Sequence, residues 1–283
     1  MRLGALIFVW ACAAWAAGPP VEEARKLYDR TDFQKSLQVL NAIPVKDADV
    51  HELMGLNHYM LGDFKKASEA LEKAHNAQPS NSEYALWLGR AYGRRAETSS
   101  PFTAPGLASK ARQYLEIAVR LNPRNAEALN DLFEYYLEAP GFLGGGLDKA
   151  QQLAGQMAQV DPSEGYWAMY KLAAEHKDYS RAEQQLRRAI EVAPRQIGKF
   201  IELARFLAKQ GRYQEADQSF DQAEQIASNA PRLLFARADL YIKTGRNLDA
   251  AQALLERYLN ATLTPDDPPR ADALKLLRKV RGG

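Results

Sequence analysis

A pattern of about 34 residues recurs along most of this chain, and nothing else in the sequence narrows its fold as much. The clearest copy runs from His51 to Pro79. Leu53, Met54, Gly55 and His58 mark one face of a first helix, and Phe64, Ala67, Leu71 and Ala74 mark one face of a second. Gly62 starts the turn between them, and Pro79 closes the unit. A lone hairpin of two short helices cannot bury enough apolar surface to stay folded. Each unit must therefore stack on its neighbours, and the two ends need caps.

Aligning the second helices makes the repetition explicit. One small residue returns as Ala67, Ala111, Ala150, Ala182, Ala216 and Ala250, at spacings of 44, 39, 32, 34 and 34. Four residues later stand Leu71, Leu115, Ala154, Leu186, Phe220 and Leu254, and three further on Ala74, Ala118, Met157, Ala189, Ala223 and Arg257. Small and large side chains at fixed spacing are what close helix packing requires. In the third copy they trade places at Ala154 and Met157, roughly conserving volume. Pro79, Pro123, Pro162 and Pro194 close the first four copies. Phe33, Ser36, Leu40 and Ile43 repeat the spacing in a divergent N-terminal hairpin spanning Val21 to Ile43. Pro269 to Arg281 reads as a capping helix with Leu274, Leu277 and Val280 as its buried stripe, and basic residues at its negative end.

A period near 34 that combines W-x2-L-G-x2-Y, A-x3-F and a closing proline resembles the tetratricopeptide repeat. Ala85, Leu88, Gly89 and Tyr92 match its first half in the second copy. Phe200, Leu203, Ala204, Leu207, Ala216, Phe220 and Ala223 match both halves in the fifth. The resemblance covers about Val21 to Ala261 and implies an all-α fold, a right-handed α-solenoid of stacked helical hairpins with about six repeats. The expected organisation is a leader over 1–17, a divergent hairpin over 18–47, repeats over 48–261, and a linker with a capping helix over 262–283. Arg237 and Arg257 depart from the pattern, standing where the sixth copy should be apolar, and the fourth copy is two residues short.

Met1 to Ala17 reads as a targeting segment. Arg2 precedes the apolar run LGALIFVWACAAW, and Ala14-Trp15-Ala16 offers a small-x-small cleavage site. The run stops at Gly18-Pro19-Pro20, short of the roughly 20 apolar residues of a membrane span. Export with cleavage, to the periplasm or the cell envelope, is the first reading. The second is a lipoprotein anchored through Cys12, because Val9-Trp10-Ala11-Cys12 resembles a lipobox; an uncleaved anchor is the third.

A net charge of +2, from 37 basic and 35 acidic side chains, gives no global pull toward nucleic acid. The single cysteine excludes an intrachain disulfide and a cysteine-rich metal site. His51-Glu52 opens like H-E-x-x-H, but the next histidine, His58, is seven residues on rather than four, and both fall on repeat core positions. Gly144-Gly145-Gly146 before a helix suggests a phosphate cradle, yet Gly145, Leu147 and Ala150 hold the turn positions of Gly62, Phe64 and Ala67. No acid, base and nucleophile constellation emerges. The expectation is a non-enzyme without cofactor or metal.

Two surfaces remain as candidates for binding a protein or peptide partner. Gly93 to Pro105 and Ala139 to Leu143 insert about ten and five residues at the same kind of turn in adjacent copies, which should bring Phe102, Phe142 and Leu143 together on one edge. These residues either dock a partner or cover the end of the core. The resemblance also implies a concave groove lined by first helices, with Glu52, Tyr59, Met60, Arg90, Arg94, Asn130, Glu134, Arg205, Lys209, Phe235 and Lys243 at the matching offsets. Glu52 and Leu56 stand where a Lys/Asn clamp for a C-terminal carboxylate would be, which disfavours chaperone-tail recognition. The leading expectation is an exported scaffold or assembly factor. The alternative is a small-ligand or transporter-associated binding protein with the inserted turns as a lid.

Overall fold

The computed structural model describes residues 20–282, so the expected leader and Cys12 lie outside the described residues. Those residues form fifteen α-helices and one 3-10 turn, with no strand among them. Seven hairpins follow one another: α1 (Pro20–Asp29) with α2 (Phe33–Ala42), α3 (Ala48–Met60) with α4 (Phe64–Ala77), α5 (Ser82–Glu97) with α6 (Ala104–Leu121), α7 (Ala126–Glu138) with α8 (Leu147–Val160), α9 (Pro162–Glu175) with α10 (Tyr179–Val192), α11 (Ile197–Lys209) with α12 (Tyr213–Ile226), and α13 (Pro231–Thr244) with α14 (Leu248–Asn260). Helix α15 (Arg270–Val280) closes the array against α14. Each second helix packs on the next first helix, and successive first helices also touch, so the hairpins stack as an α-solenoid.

Local chemistry sets the helix starts. The side chains of Asp47, Asp63, Asn81, Asn125, Asp161 and Asp178 each accept a backbone N–H of the following first turn. In four of the seven hairpins the turn enters the left-handed region once. Gly62 (φ 77°) and Gly211 (φ 75°) do so without strain, whereas Thr31 (φ 62°) and Lys177 (φ 59°) occupy the equivalent place with a side chain. Close packing accounts for Gly89: a Cβ there would stand 2.9 Å from Leu115 and 3.2 Å from its backbone nitrogen.

The small-large pattern of the second helices is the core. Ala67, Ala111, Ala150, Ala182 and Ala216 are at most 2% exposed, and the traded pair Ala154 and Met157 is buried as well. In the N-terminal hairpin Ser36 takes the small position. Its hydroxyl donates to the carbonyl of Ala24 (2.8 Å) and accepts from Asn57 Nδ2 (3.0 Å), tying α2 to α3.

The sixth copy corrects the alignment. Ala250 is exposed, and Ala251, Leu255 and Tyr258 are the buried triplet, one residue later than Ala250, Leu254 and Arg257. The cause is one extra residue after the left-handed glycine: Gly245 stands three positions before α14, where Gly62 and Gly211 stand two before their second helices, and Asn247 (φ 46°) is left-handed as well. With the register corrected, Arg257 points outward and bonds Ser228 O and Asn229 Oδ1, both at 3.0 Å. Arg237 is half-buried, and Asp221 (2.8 Å), Glu224 (3.2 Å) and the Tyr241 hydroxyl (2.9 Å) satisfy it. The capping helix buries Ala273 and Leu277 with Leu276 and Val280 partly covered, while Leu274 is exposed, contrary to the expected stripe. His51 and His58 are half-buried rather than core, and burial lowers the pKa of each.

Candidate functional site

The insertions are largely absorbed as helix. α5 runs on to Glu97, and α6 starts at Ala104 with Pro105 in its first turn, leaving only Thr98 to Thr103 as a turn. Phe102 there is 96% exposed. In the third copy Gly141–Leu143 makes a single 3-10 turn held on three sides: the Tyr135 hydroxyl donates to Leu143 O (2.9 Å), Lys149 Nζ to Gly144 O (2.8 Å), and Gly146 N–H to Tyr136 O (2.8 Å). Leu143 is half-buried, and Phe142 projects from this pinned turn at 82% exposure. Neither phenylalanine covers the core. Both insertions border α6, but the third-copy turn packs at Arg112, eight residues or about 12 Å along α6 from its first residue. The amides of Gly144, Gly145 and Gly146 all donate to carbonyls of the same segment, so this run has no N–H groups left to cradle a phosphate.

The inner face is richer. Three adjoining cavities of about 560, 710 and 650 Å³ lie along the first helices. The first contains Tyr59, Met60, Arg90 and Arg94; the second Arg90, Asn130, Arg205 and Phe235; the third Asn130 and Glu134. The structure thus brings all the groove residues with aromatic, arginine or amide side chains onto one continuous surface. Lys209 and Lys243 line none of these cavities, and Glu52 is turned aside to Arg25 (2.8 Å). Neither inserted turn lines them, so the expected lid is not formed by those turns.

Most charges on this face are already spent. Arg90 bonds Asp131 (2.5 Å) and Glu127 (2.9 Å), Lys171 reaches Glu134 (3.1 Å), Arg205 reaches Glu202 (3.2 Å), and Arg94 pairs with Glu97. Lys199, only 7% exposed, bonds Glu164 at 2.8 Å under the ring of Trp167. Burial pushes the Asp131 carboxyl above the usual range despite Arg90, and it does the same to Glu52 despite Arg25. The aromatics form a cluster in which Tyr59 meets Phe64 and Trp87 edge-on, both at 5.4 Å, while Arg90 lies over Trp87 and Arg94 over Phe64. Phe235 leans on Tyr258. What is left unspent is small. Asn130 donates to Glu164 (3.2 Å), but its Oδ1 is buried without a donor among the described residues. Arg195 and Arg232, exposed at the rim, make no ion pair among those residues.

Sequence reasoning missed Trp87, Asp131, Glu164, Trp167, Lys171 and Lys199. Trp87 and Asp131 sit within one helical turn of residues it did name; Glu164, Trp167 and Lys171 belong to α9, in the short fourth copy, and Lys199 to the first turn of α11. It could not have found Asp266, Asp267 and Pro268 in the second cavity, because they lie outside the repeats. Among the described residues there is no cluster able to hold a metal ion, and no helix is long and apolar enough to cross a membrane.

The comparisons agree with this architecture. The tetratricopeptide repeat family model matches residues 168–231 and 201–268. A thermophilic TPR protein of Thermus thermophilus superposes with a TM-score of 0.54 at 21% identity, covering 67% of this chain and 97% of that one. A tetratricopeptide repeat protein from Parabacteroides merdae superposes with a TM-score of 0.57 at 14% identity, covering 93% and 97%. No curated protein matches the chain. Residues 168–268 thus match tetratricopeptide repeats, and the described residues share the fold of solved tetratricopeptide-repeat proteins.

Proposed function

We propose that this chain is a non-catalytic scaffold or assembly factor of the cell envelope that holds an extended segment of a partner protein on its inner face and uses the pinned Phe142 as a second contact. The observation that carries the reading is the continuous first-helix groove, along which Tyr59, Met60, Asn130 and Phe235 line adjoining cavities. An extended segment fits such a groove, and the Tyr59, Met60 and Phe235 surfaces accept its side chains. With most charges paired internally, recognition rests on shape and hydrogen bonding more than on net charge. A phenylalanine exposed on a rigid turn loses little freedom on docking, which favours Phe142 over Phe102 as an anchor. Export rests on the apolar leader of residues 1–17.

Substitution of Phe142 by Asp, and separately of Asn130 by Ala, tests the proposal. Affinity capture from the native host should lose the same partner in both variants while circular dichroism and melting temperature stay near wild type. Retention of every captured protein by both variants would end it.

A further inference from the structure

The two ends of the solenoid face each other across the first inner cavity. One wall is Tyr59, Met60 and Phe64, from the first full repeat, with Trp87 from the second; the other is Pro265, Pro269 and Ala271, from the linker before α15 and the start of that helix. Charge follows the same division. Arg90 and Arg94 stand on the first wall, Asp267 and Asp272 on the second, and Asp266 lies with Arg90, Arg205 and Arg232 around the neighbouring cavity. Asp266 also adds to the negative field felt by Tyr28 in α1, at the opposite end of the array. An apolar patch and opposite charges are thus presented by both walls.

The linker is ordered but not fastened across the gap. Leu263 is buried in the C-terminal core, the Asp267 carboxylate accepts from Thr264 N–H (2.9 Å) and hydroxyl (3.0 Å), the Tyr258 hydroxyl donates to Pro268 O, and Arg270 donates to Leu259 O (2.5 Å). Among the described residues every hydrogen bond of residues 264–272 is made within this C-terminal body. A solenoid flexes by small rotations summed over its repeats, so a gap bounded by complementary walls can open and shut without any helix unfolding.

We propose that residues 264–272 are a latch: they close onto the aromatic cluster of the first two full repeats, shutting the groove, and a partner segment must displace them to enter. The idea rests on the first-helix face being the docking groove, but it is read out in the isolated chain. A photo-reactive benzoylphenylalanine in place of Met60 in the purified full chain should give an internal product joining that position to the tryptic peptides that cover residues 262–275. Its yield should fall several-fold at about 0.5 M salt, where the Debye length shrinks below about 5 Å, and several-fold in Asp272→Arg. The double variant Arg94→Glu with Asp272→Arg should restore it, which simple misfolding would not. Absence of the internal product, or a yield that neither salt nor Asp272→Arg changes, would overturn the latch. An internal product that behaves as expected while no partner is captured in cells would keep the latch and remove the docking reading; partner capture without the internal product would do the reverse.

Discussion

The inner face of the solenoid and its outer side use the same kinds of residue in opposite states. On the inner face Lys199 and Glu164 are bonded and nearly out of reach of water, and arginines lie over Trp87 and Phe64. On the outer side the chain of Glu183, Arg187, Arg212 and Glu215 runs across the exposed second helices, and Phe102 and Phe142 face solvent uncovered. The same kind of ion pair is therefore structural where water is excluded and weak where water screens it. Residue type alone does not tell a binding group from a supporting one; what distinguishes them is whether the group's partners are already supplied.

The widest separation should appear in stability. Lys199→Ala leaves the half-buried Glu164 without its cation and should cost about 3 kcal/mol, read by urea denaturation, while Arg187→Ala on the outer side should stay within about 0.5 kcal/mol. Glu164→Gln combined with Lys199→Met should recover most of the loss. Equal costs for the two single variants would erase the distinction between the faces.

The turns give a smaller effect of known sign. Lys177→Gly removes a side chain from a left-handed residue and should stabilise by about 0.5 to 1 kcal/mol, whereas Gly211→Ala should destabilise by about 1 kcal/mol.

Dependence on pH should divide the faces by sign. Burial raises the Asp131 carboxyl, so the native state holds its proton more tightly than the unfolded chain does; that contribution is present at low pH and is lost as pH rises from the ordinary carboxylate value through the raised one. Hydrogen bonds from Arg212, then from Arg187, lower the Glu183 carboxyl, so its contribution is present above the ordinary value and is lost as pH falls through the lowered one. Melting temperatures from about pH 3 to 7 should lose the falling component in Asp131→Asn and the acid loss in Glu183→Gln. Smallest of all, Phe142→Asp should change stability by less than about 0.5 kcal/mol, since the ring touches no core.

The stacked hairpins were legible because packing writes a period into the sequence. The buried Ala67, Ala111, Ala150, Ala182 and Ala216 are where the spacing puts them, and Ser36 carries the pattern into the divergent hairpin. The sixth copy was misread by one residue because Ala250 and Ala251 are chemically identical and only the left-handed Asn247 decides between them. Leu274 was misplaced for a similar reason, since Leu274, Leu276 and Leu277 offer two competing stripes. The groove was half legible: offsets from the repeat found Arg90, Asn130 and Arg205 but carry no information on pairing, which is why Asp131 and Glu164 emerged only in three dimensions. The facing of residues 264–272 on the first two full repeats depends on the curvature of the whole array, a sum over many hairpins that no local pattern encodes.

The most direct test of the account is photo-crosslinking in the native host from Phe142 and, separately, from Tyr59, with mass spectrometry of the products. The account predicts that both positions capture the same protein, with the Tyr59 product mapping to an extended segment of it. Capture of no protein from either position would contradict it.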